Sequence, residues 1–142
     1  IEDSSGVESL KLVDFGIAKV VESNPAMHIT QNGDVLGSPL YMSPEQCMGS
    51  ELDCRTDIFS LGCVMYMTLV GKEPFVGANV LDTMYRRTVE DAKPFASINP
   101  QLNCPEALEA IVFKALARDV ADRYQTMLEV KTELERLVFT LA

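Results

Sequence analysis

Apolar residues recur at helical spacing through most of the sequence after residue 42, and they predict a series of helices there. The clearest pattern follows Pro105, where apolar residues stand at i, i+3, i+4, i+7 and i+8: Leu108, Ile111, Val112, Ala115 and Leu116. Residues 57–70 are apolar on nearly every side, which is typical of a helix that is buried on most faces. Gly71 directly follows this run and is suited to ending the helix.

Capping residues mark the other predicted helices. Ser43, Pro44 and Gly49 stand where a helix of one to two turns would have its N-cap, its first residue and its stop. Residues 79–87 predict a short amphipathic helix with one apolar face: Val80, Leu81, Met84 and Tyr85. Residues 126–129 (TMLE) are a capping box. The helix that they start carries one apolar side: Met127, Val130, Leu134, Leu137, Val138 and Leu141. Residues 88–104 are predicted to be mostly loop.

The N-terminal part of the sequence is patterned differently. Residues 10–13 (LKLV) form a short, mainly apolar run after the turn-forming residues 3–6 (DSSG), so they predict a strand, with Ile1 ending its hairpin partner. No periodicity persists over residues 22–42, where turn-forming residues are frequent. A loop of that length inside a compact domain is usually functional or disordered, so this segment is a candidate lid or regulatory loop.

Composition narrows the class of protein. The 142 residues suit one domain, and a formal net charge of −9 argues against nucleic-acid binding, because that affinity depends on Lys and Arg neutralising phosphates. No apolar run is long enough to predict a membrane helix. The four cysteines form no CxxC pair and the chain has one histidine, so a zinc site is disfavoured. Reduced thiols in a cytoplasmic domain are expected.

Four motifs stand out along the chain: residues 11–19 (KLVDFGIAK), 37–45 (GSPLYMSPE), 55–62 (RTDIFSLG) and 115–124 (ALARDVADRY). They resemble motifs of protein kinases and occur in the order of that family. The first is similar to the magnesium-binding segment, and the second to the substrate-facing loop and the motif after it. The third resembles the start of the buried central helix, and the fourth resembles the last signature of the family. The detailed sequence is most like the bacterial serine/threonine branch.

This resemblance implies a fold and a division of the chain. The fold would be α+β and protein-kinase-like, with a mainly α-helical C-lobe, a small β-hairpin at the N-terminal end and no N-lobe. Residues 14–45 would be the activation segment, and residues 57–142 the helical C-lobe, of a partial catalytic domain. The Gly-rich loop, the strand Lys with its Glu partner and the catalytic loop of the family are not among the 142 residues. We therefore expect an inactive fragment, whose catalytic base lies upstream of Ile1.

The resemblance also assigns roles to residues of the activation segment. Asp14 would bind the magnesium that bridges the phosphates of ATP, and Phe15, beside Gly16, would set the active or inactive posture of the segment. The Ser38 hydroxyl would bond groups of the catalytic loop, and Tyr41 would help to shape the pocket beside the phospho-acceptor.

Four further residues receive roles outside the chemical step. Glu45 would pair with Arg123 in the interior, whereas without the resemblance they would be two exposed charges. Asp57 would hold the catalytic-loop backbone. The alternative is that its carboxylate only interacts favourably with the helix dipole at the start of the helix. Thr30 is the candidate for activating phosphorylation, and the alternative is a solvated loop hydroxyl. The helix predicted over residues 79–87 would be a docking surface.

The parent protein is thus expected to be an ATP- and magnesium-dependent serine/threonine protein kinase. The alternative is a non-catalytic, pseudokinase-like scaffold that binds proteins through this lobe. Protein substrates are the expected partners, with no nucleic acid and no membrane segment in this chain. The domain is expected to be cytoplasmic, although the full-length protein could be membrane-anchored. A catalytic loop with its Asp and Asn upstream of Ile1 would favour the active kinase over the non-catalytic scaffold.

Overall fold

The computed structural model of the chain describes residues 39–141, which form helices joined by irregular connections. The α-helices are α1 (Pro44–Met48), α2 (Arg55–Val70), α3 (Val80–Val89), α4 (Phe95–Ile98), α5 (Glu106–Ala115) and α6 (Met127–Leu141). Short 3-10 turns span Pro39–Tyr41 and Val120–Asp122. The predicted β-hairpin lies outside the described residues, and so do five of the predicted functional residues: Asp14, Phe15, Gly16, Thr30 and Ser38.

The predicted caps of α1 and α2 are confirmed. The Ser43 backbone N–H donates to Gln46 Oε1 at 2.8 Å, and the Gln46 backbone N–H donates back to Ser43 Oγ at 3.4 Å, which makes a capping box. Gly49 follows α1 and Gly71 follows α2 in the left-handed backbone region, at φ angles of 66° and 81°. Glycine adopts that conformation without strain, so both helices stop there.

Helix α2 lies at the centre of the core. It begins at Arg55 rather than at residue 57, because the Arg55 N–H donates to Asp53 Oδ1 at 2.8 Å and the turn starts earlier. Helix α5 crosses it so closely that a Cβ on Gly62 would lie 3.1 Å from the Ala115 Cβ, which favours glycine at this crossing. Most of α2 is buried or half-buried, as predicted; its exposed apolar positions are Val64 and Met67.

Two apolar clusters pack around α2. The first joins α2 to the segment after it and to α4 and α5: Phe59, Cys63, Tyr66, Val70, Phe75, Ala92, Phe95, Val112 and Leu116. The second joins α2 to α5 and α6: Ile58, Ile111, Ala115, Tyr124 and Val130. Within the first cluster, Tyr66 and Phe95 meet edge to face with ring centroids 5.2 Å apart, a favoured aromatic geometry. The apolar stripe predicted after Pro105 therefore does face the core.

Helix α3 buries a different face from the predicted one. Three of the four residues on the predicted apolar face are exposed: Val80, Leu81 and Tyr85. Met84 is buried, and beside it lie two polar residues, Thr83 and Arg87. Thr83 Oγ1 accepts a hydrogen bond from the Gly77 N–H at 2.9 Å. This side of α3 faces loop backbone that needs hydrogen-bond partners, so polar side chains are buried where the apolar pattern predicted hydrophobic ones.

Helix α4 lies in the segment that was predicted to be mostly loop. Its four residues bury Phe95 in the core. The Phe95 N–H donates to Glu109 Oε1 at 2.8 Å, so a side chain of α5 supports the first turn. This support comes from tertiary structure, which explains why local periodicity did not predict the helix.

Helix α6 begins as predicted, but its apolar side is only partly covered. The Glu129 N–H donates to Thr126 Oγ1 at 3.2 Å, while Glu129 Oε2 accepts from the Gln125 N–H at 2.9 Å, one residue before the position of a standard capping box. Val130 is buried, and Leu134 and Leu137 pack against the second cluster. The other residues of the predicted side are exposed: Met127, Val138 and Leu141. Over the described range, no helix has the length and apolar character needed to cross a membrane.

Candidate functional site at Glu45 and Arg123

Glu45 and Arg123 are 78 positions apart in the sequence and meet inside the protein. Arg123 Nη1 donates to Glu45 Oε1, and Nη2 donates to Oε2, both at 2.7 Å. Glu45 is 5% exposed and Arg123 is 2% exposed. Two parallel charge-assisted hydrogen bonds are the strongest geometry for an Arg–carboxylate pair. The structure thus contains the interior pair expected from the sequence, rather than two exposed charges.

Local structure places the two partners. Glu45 is the second residue of α1, so the caps of that short helix fix its backbone. Arg123 directly follows the 3-10 turn Val120–Asp122. Asp119 Oδ1 caps this turn by accepting from the Ala121 N–H at 2.8 Å. Both charged groups are therefore presented by short, individually capped elements.

The guanidinium group of Arg123 also holds three backbone carbonyl groups. Its Nε donates to the Ala117 carbonyl at 2.7 Å, and its terminal nitrogens donate to the carbonyls of Arg55 at 3.1 Å and Arg118 at 3.2 Å. Its Cζ lies 5.0 Å from the centre of the Phe59 ring, within range of a cation–π contact. Arg123 therefore connects the loop after α5 with the start of α2 as well as with α1.

The Glu45 carboxylate is held in its charged form. Burial raises the pKa of Glu45, but hydrogen bonds from Arg123, from the Glu45 backbone and from Ser43 outweigh burial, so the pKa lies below its ordinary value. Thr56 Oγ1 also donates to Glu45 Oε1, at 3.0 Å. A carboxyl group of this kind stabilises the fold only while it is ionised.

Acid should therefore weaken the protein through Glu45. Because the folded-state pKa is lowered, the stabilisation is fully present above the unfolded-state pKa of about 4.3 and is lost as pH falls through the folded-state value. The measurement is urea denaturation of the wild type and of Glu45→Gln at pH values from about 7 down to about 3. We expect the free energy of unfolding to fall less steeply with decreasing pH in Glu45→Gln than in the wild type. If the free energy of unfolding fell equally steeply with pH in both proteins below about pH 4.3, Glu45 would not be the cause of the acid sensitivity.

The turn Pro39–Tyr41, at the end of the predicted substrate-facing loop, is held by two side chains that the sequence did not single out. Ser60 Oγ donates to the Tyr41 carbonyl at 2.9 Å, and Arg87 Nη2 donates to the Leu40 carbonyl at 2.8 Å. The Tyr41 hydroxyl lies 3.4 Å from a methionine sulfur of α2. The only sequence signal for Arg87 was its place in the last turn of α3, where a cationic side chain ordinarily interacts favourably with the helix dipole.

Asp57 is not brought to the ion pair. It is exposed in the first turn of α2, and its N–H donates to the Cys54 carbonyl at 3.2 Å. This placement favours the helix dipole and leaves the carboxylate accessible, so the role predicted for Asp57 stays a prediction.

The cysteines of the described range are free thiols. Cys63 is fully buried, and burial raises its pKa to about 12. It therefore behaves as a small apolar side chain. Within residues 39–141, no group of three or more His, Cys, Asp or Glu side chains is placed to hold a metal ion.

Comparisons with known proteins agree with the motifs. A model of the protein kinase domain family matches residues 2–134. Serine/threonine-protein kinase PknB of Mycobacterium tuberculosis is 38% identical over 133 residues, which cover 94% of this chain and 21% of that protein. The probable serine/threonine-protein kinase PknB of Corynebacterium glutamicum is 41% identical over 140 residues, which cover 96% of this chain and 21% of that protein.

The probable PknB of Bifidobacterium longum is 38% identical over 125 residues, which cover 88% of this chain and 18% of that protein. The chain thus spans about a fifth of the length of the curated relatives that it matches. All three relatives are bacterial serine/threonine protein kinases by name. Because the family model covers nearly all of the sequence, and because the relatives agree with it, the chain belongs to the protein kinase domain family, among its bacterial serine/threonine members.

Proposed function

We propose that this chain is the substrate-binding lobe of a serine/threonine protein kinase, which transfers the γ-phosphoryl group of ATP to Ser or Thr hydroxyls of proteins. The observation that carries the proposal is the buried pair between Glu45 and Arg123, which ties the end of the activation segment to the helical lobe. The two residues lie in the second and fourth of the kinase-like motifs, so the motifs are linked in space as well as in order.

Asp14 is the proposed magnesium ligand. It follows the apolar residues 10–13 and precedes Phe15 and Gly16, which we propose set the posture of the activation segment. Asp14 lies outside the described residues, so the proposal rests on its motif and on the family match. When bound, magnesium neutralises charge on the phosphates of ATP.

The residues around the turn Pro39–Tyr41 are the proposed substrate side of the site. Tyr41 is half-buried, and its carbonyl is fixed to α2, which supports a role in shaping the phospho-acceptor pocket. We propose that Ser38 and Asp57 bond the catalytic loop. The exposed apolar residues of α3 suit a protein-docking surface: Val80, Leu81 and Tyr85. Free thiols in the described range support a cytoplasmic domain.

The test is a hybrid kinase domain in which this chain replaces the matching segment of Mycobacterium tuberculosis PknB. The relative then supplies the Gly-rich loop, the strand Lys and the catalytic loop that are not among the 142 residues. We expect the hybrid domain to phosphorylate Ser or Thr of a generic protein substrate, and the 142-residue chain alone to transfer no phosphate.

Two results would contradict the proposal. A hybrid domain that folds, as judged by a cooperative thermal transition, and yet transfers no phosphate would favour the non-catalytic scaffold. Phosphate transfer by the 142-residue chain alone would show that its chemistry does not depend on the segments supplied by the relative.

Thr30 is the proposed site of activating phosphorylation. A phosphate there would add about −1.5 to −2 charge and three acceptor oxygens, which can order a loop by meeting a cation. By family resemblance that cation is an Arg of the catalytic loop, which the hybrid domain contains. We expect mass spectrometry to find phosphate on Thr30 and expect Thr30→Ala to lower the activity of the hybrid domain by about tenfold.

The matched control for Thr30 is Ser23→Ala, which removes another hydroxyl from the same segment. This control should keep its activity. An unmodified Thr30 together with a fully active Thr30→Ala variant would leave Thr30 as an ordinary solvated residue.

A further inference from the structure

Arg87 is a charged side chain placed in the interior at the end of α3. It is 1% exposed, whereas the side chain of Arg86 next to it is 39% exposed and forms ion pairs with Asp82 at 3.1 Å and Glu90 at 3.2 Å along the same helix. Burying a guanidinium group is costly unless it bonds to specific partners. The two neighbouring arginines therefore have different roles: Arg86 supports its own helix, and Arg87 contacts other parts of the protein.

Arg87 makes a polar contact with the loop proposed to face the substrate. Its Nη2 donates to the Leu40 carbonyl at 2.8 Å, and its Cζ lies 5.7 Å from the centre of the Phe75 ring, which supports the flat guanidinium group. A hydrogen bond from a charged donor is about twice as strong as one between neutral groups. The hydrogen bond from Arg87 to Leu40 thus fixes the turn Pro39–Tyr41 to α3.

A second contact fixes the next residue of the same turn. Ser60 Oγ, on α2, donates to the Tyr41 carbonyl at 2.9 Å. Two successive carbonyl groups are therefore held by side chains from two different helices. A turn of three residues has few hydrogen bonds of its own, so such contacts decide where its backbone lies.

We infer that Arg87, assisted by Ser60, is a positioning residue for protein substrate. It does not touch the reacting atoms; it fixes the Leu40–Tyr41 backbone and thereby the loop against which the substrate would lie. This inference rests on the function proposed above. It predicts that loss of the contact raises KM for the protein substrate but not KM for ATP, which binds elsewhere in the domain.

The first experiment measures steady-state kinetics of the hybrid domain with a peptide substrate. Arg87→Met keeps a long side chain against Phe75 and removes the donor. We expect it to raise KM for the peptide about tenfold and to change KM for ATP by less than about twofold. Arg87→Lys, which keeps one donor, should recover part of the loss. Arg136→Met is the control for the kinetics: the Arg136 side chain is 73% exposed on α6 and pairs with Glu133 at 3.0 Å, so both constants should stay within about twofold of the wild type.

The second experiment tests the contact without using activity. Chymotrypsin should cleave after Tyr41 once the turn detaches, whereas Phe113 is packed against the first core cluster and reports global unfolding. We expect the ratio of cleavage after Tyr41 to cleavage after Phe113 to rise about tenfold in Arg87→Met and to stay unchanged in Arg86→Met. If Arg87→Met does not fold, Ser60→Ala is the substitute, with an expected rise of about threefold.

Each outcome decides one part of the inference. An unchanged cleavage ratio overturns the claim that Arg87 holds the turn. A raised ratio with an unchanged peptide KM, or with equal rises of KM for peptide and ATP, overturns the positioning role. A folded wild-type hybrid without phosphotransfer refutes the proposed function, and the positioning role with it, while the cleavage ratio still decides whether Arg87 holds the turn.

Discussion

Replacing Glu45 or Arg123 with alanine is expected to destabilise the hybrid domain by about 3–5 kcal/mol, among the largest effects of a single substitution. Each change leaves the other charge buried at 5% exposure or less, without the bidentate contact that offsets its desolvation. Arg123→Ala should be the more severe change, because it also removes the donor of three backbone carbonyl groups.

The measurement is urea unfolding of the wild type, both single variants and the double variant. The double variant should be less destabilised than the sum of the single variants, with a coupling of about 0.5–3 kcal/mol. Arg118→Ala is the control: its side chain is 43% exposed and pairs with exposed Asp91 at 2.8 Å, so it should cost less than about 1 kcal/mol. Additive costs below 1 kcal/mol for both Glu45 and Arg123 would contradict a buried, coupled pair.

The local sequence was sufficient for much of the described fold because caps and stripes have local causes. Ser43, Gly49 and Gly71 act through the backbone of their own helices, and the stripe after Pro105 faces the core as its spacing predicts. The sequence could not show α4, since its first turn is supported by Glu109 from another helix.

Helix α3 shows the limit of periodicity. Its apolar face is largely exposed, while Arg87 is buried beside Met84. An apolar stripe predicts burial only where the facing surface is apolar, and here the facing surface includes the Leu40 carbonyl. Tertiary partners, which a single sequence does not display, decided the orientation.

The candidate site was predictable only through motif resemblance. Without it, Glu45 and Arg123 are two charges 78 positions apart, and no spacing rule connects them. Ser60 and Arg87 carry no motif signal for loop contact, and they became visible only when the two helices were placed around the turn Pro39–Tyr41. Asp14, Thr30 and Ser38 lie outside the described residues, and their roles stay proposals.

Asp14→Ala is expected to lower phosphate transfer by the hybrid domain by about 10³-fold or more, because the variant would lack a protein ligand for the magnesium on the ATP phosphates. The thermal midpoint should change little, since the substitution removes a proposed metal ligand rather than an apolar side chain. Asp53→Ala is the control, because Asp53 is a partly exposed surface carboxylate paired with Arg55 at 2.6 Å. This control should retain full activity.

The most direct measurement is therefore the initial rate of radiolabelled phosphate transfer from ATP to a protein substrate, compared among the wild-type hybrid domain, Asp14→Ala and Asp53→Ala. The proposed function predicts phosphoserine or phosphothreonine with the wild type and with Asp53→Ala, and almost none with Asp14→Ala. Equal rates for all three folded proteins would contradict the role of Asp14. A folded wild-type hybrid that transfers no phosphate would contradict the assignment of this chain as a working kinase lobe.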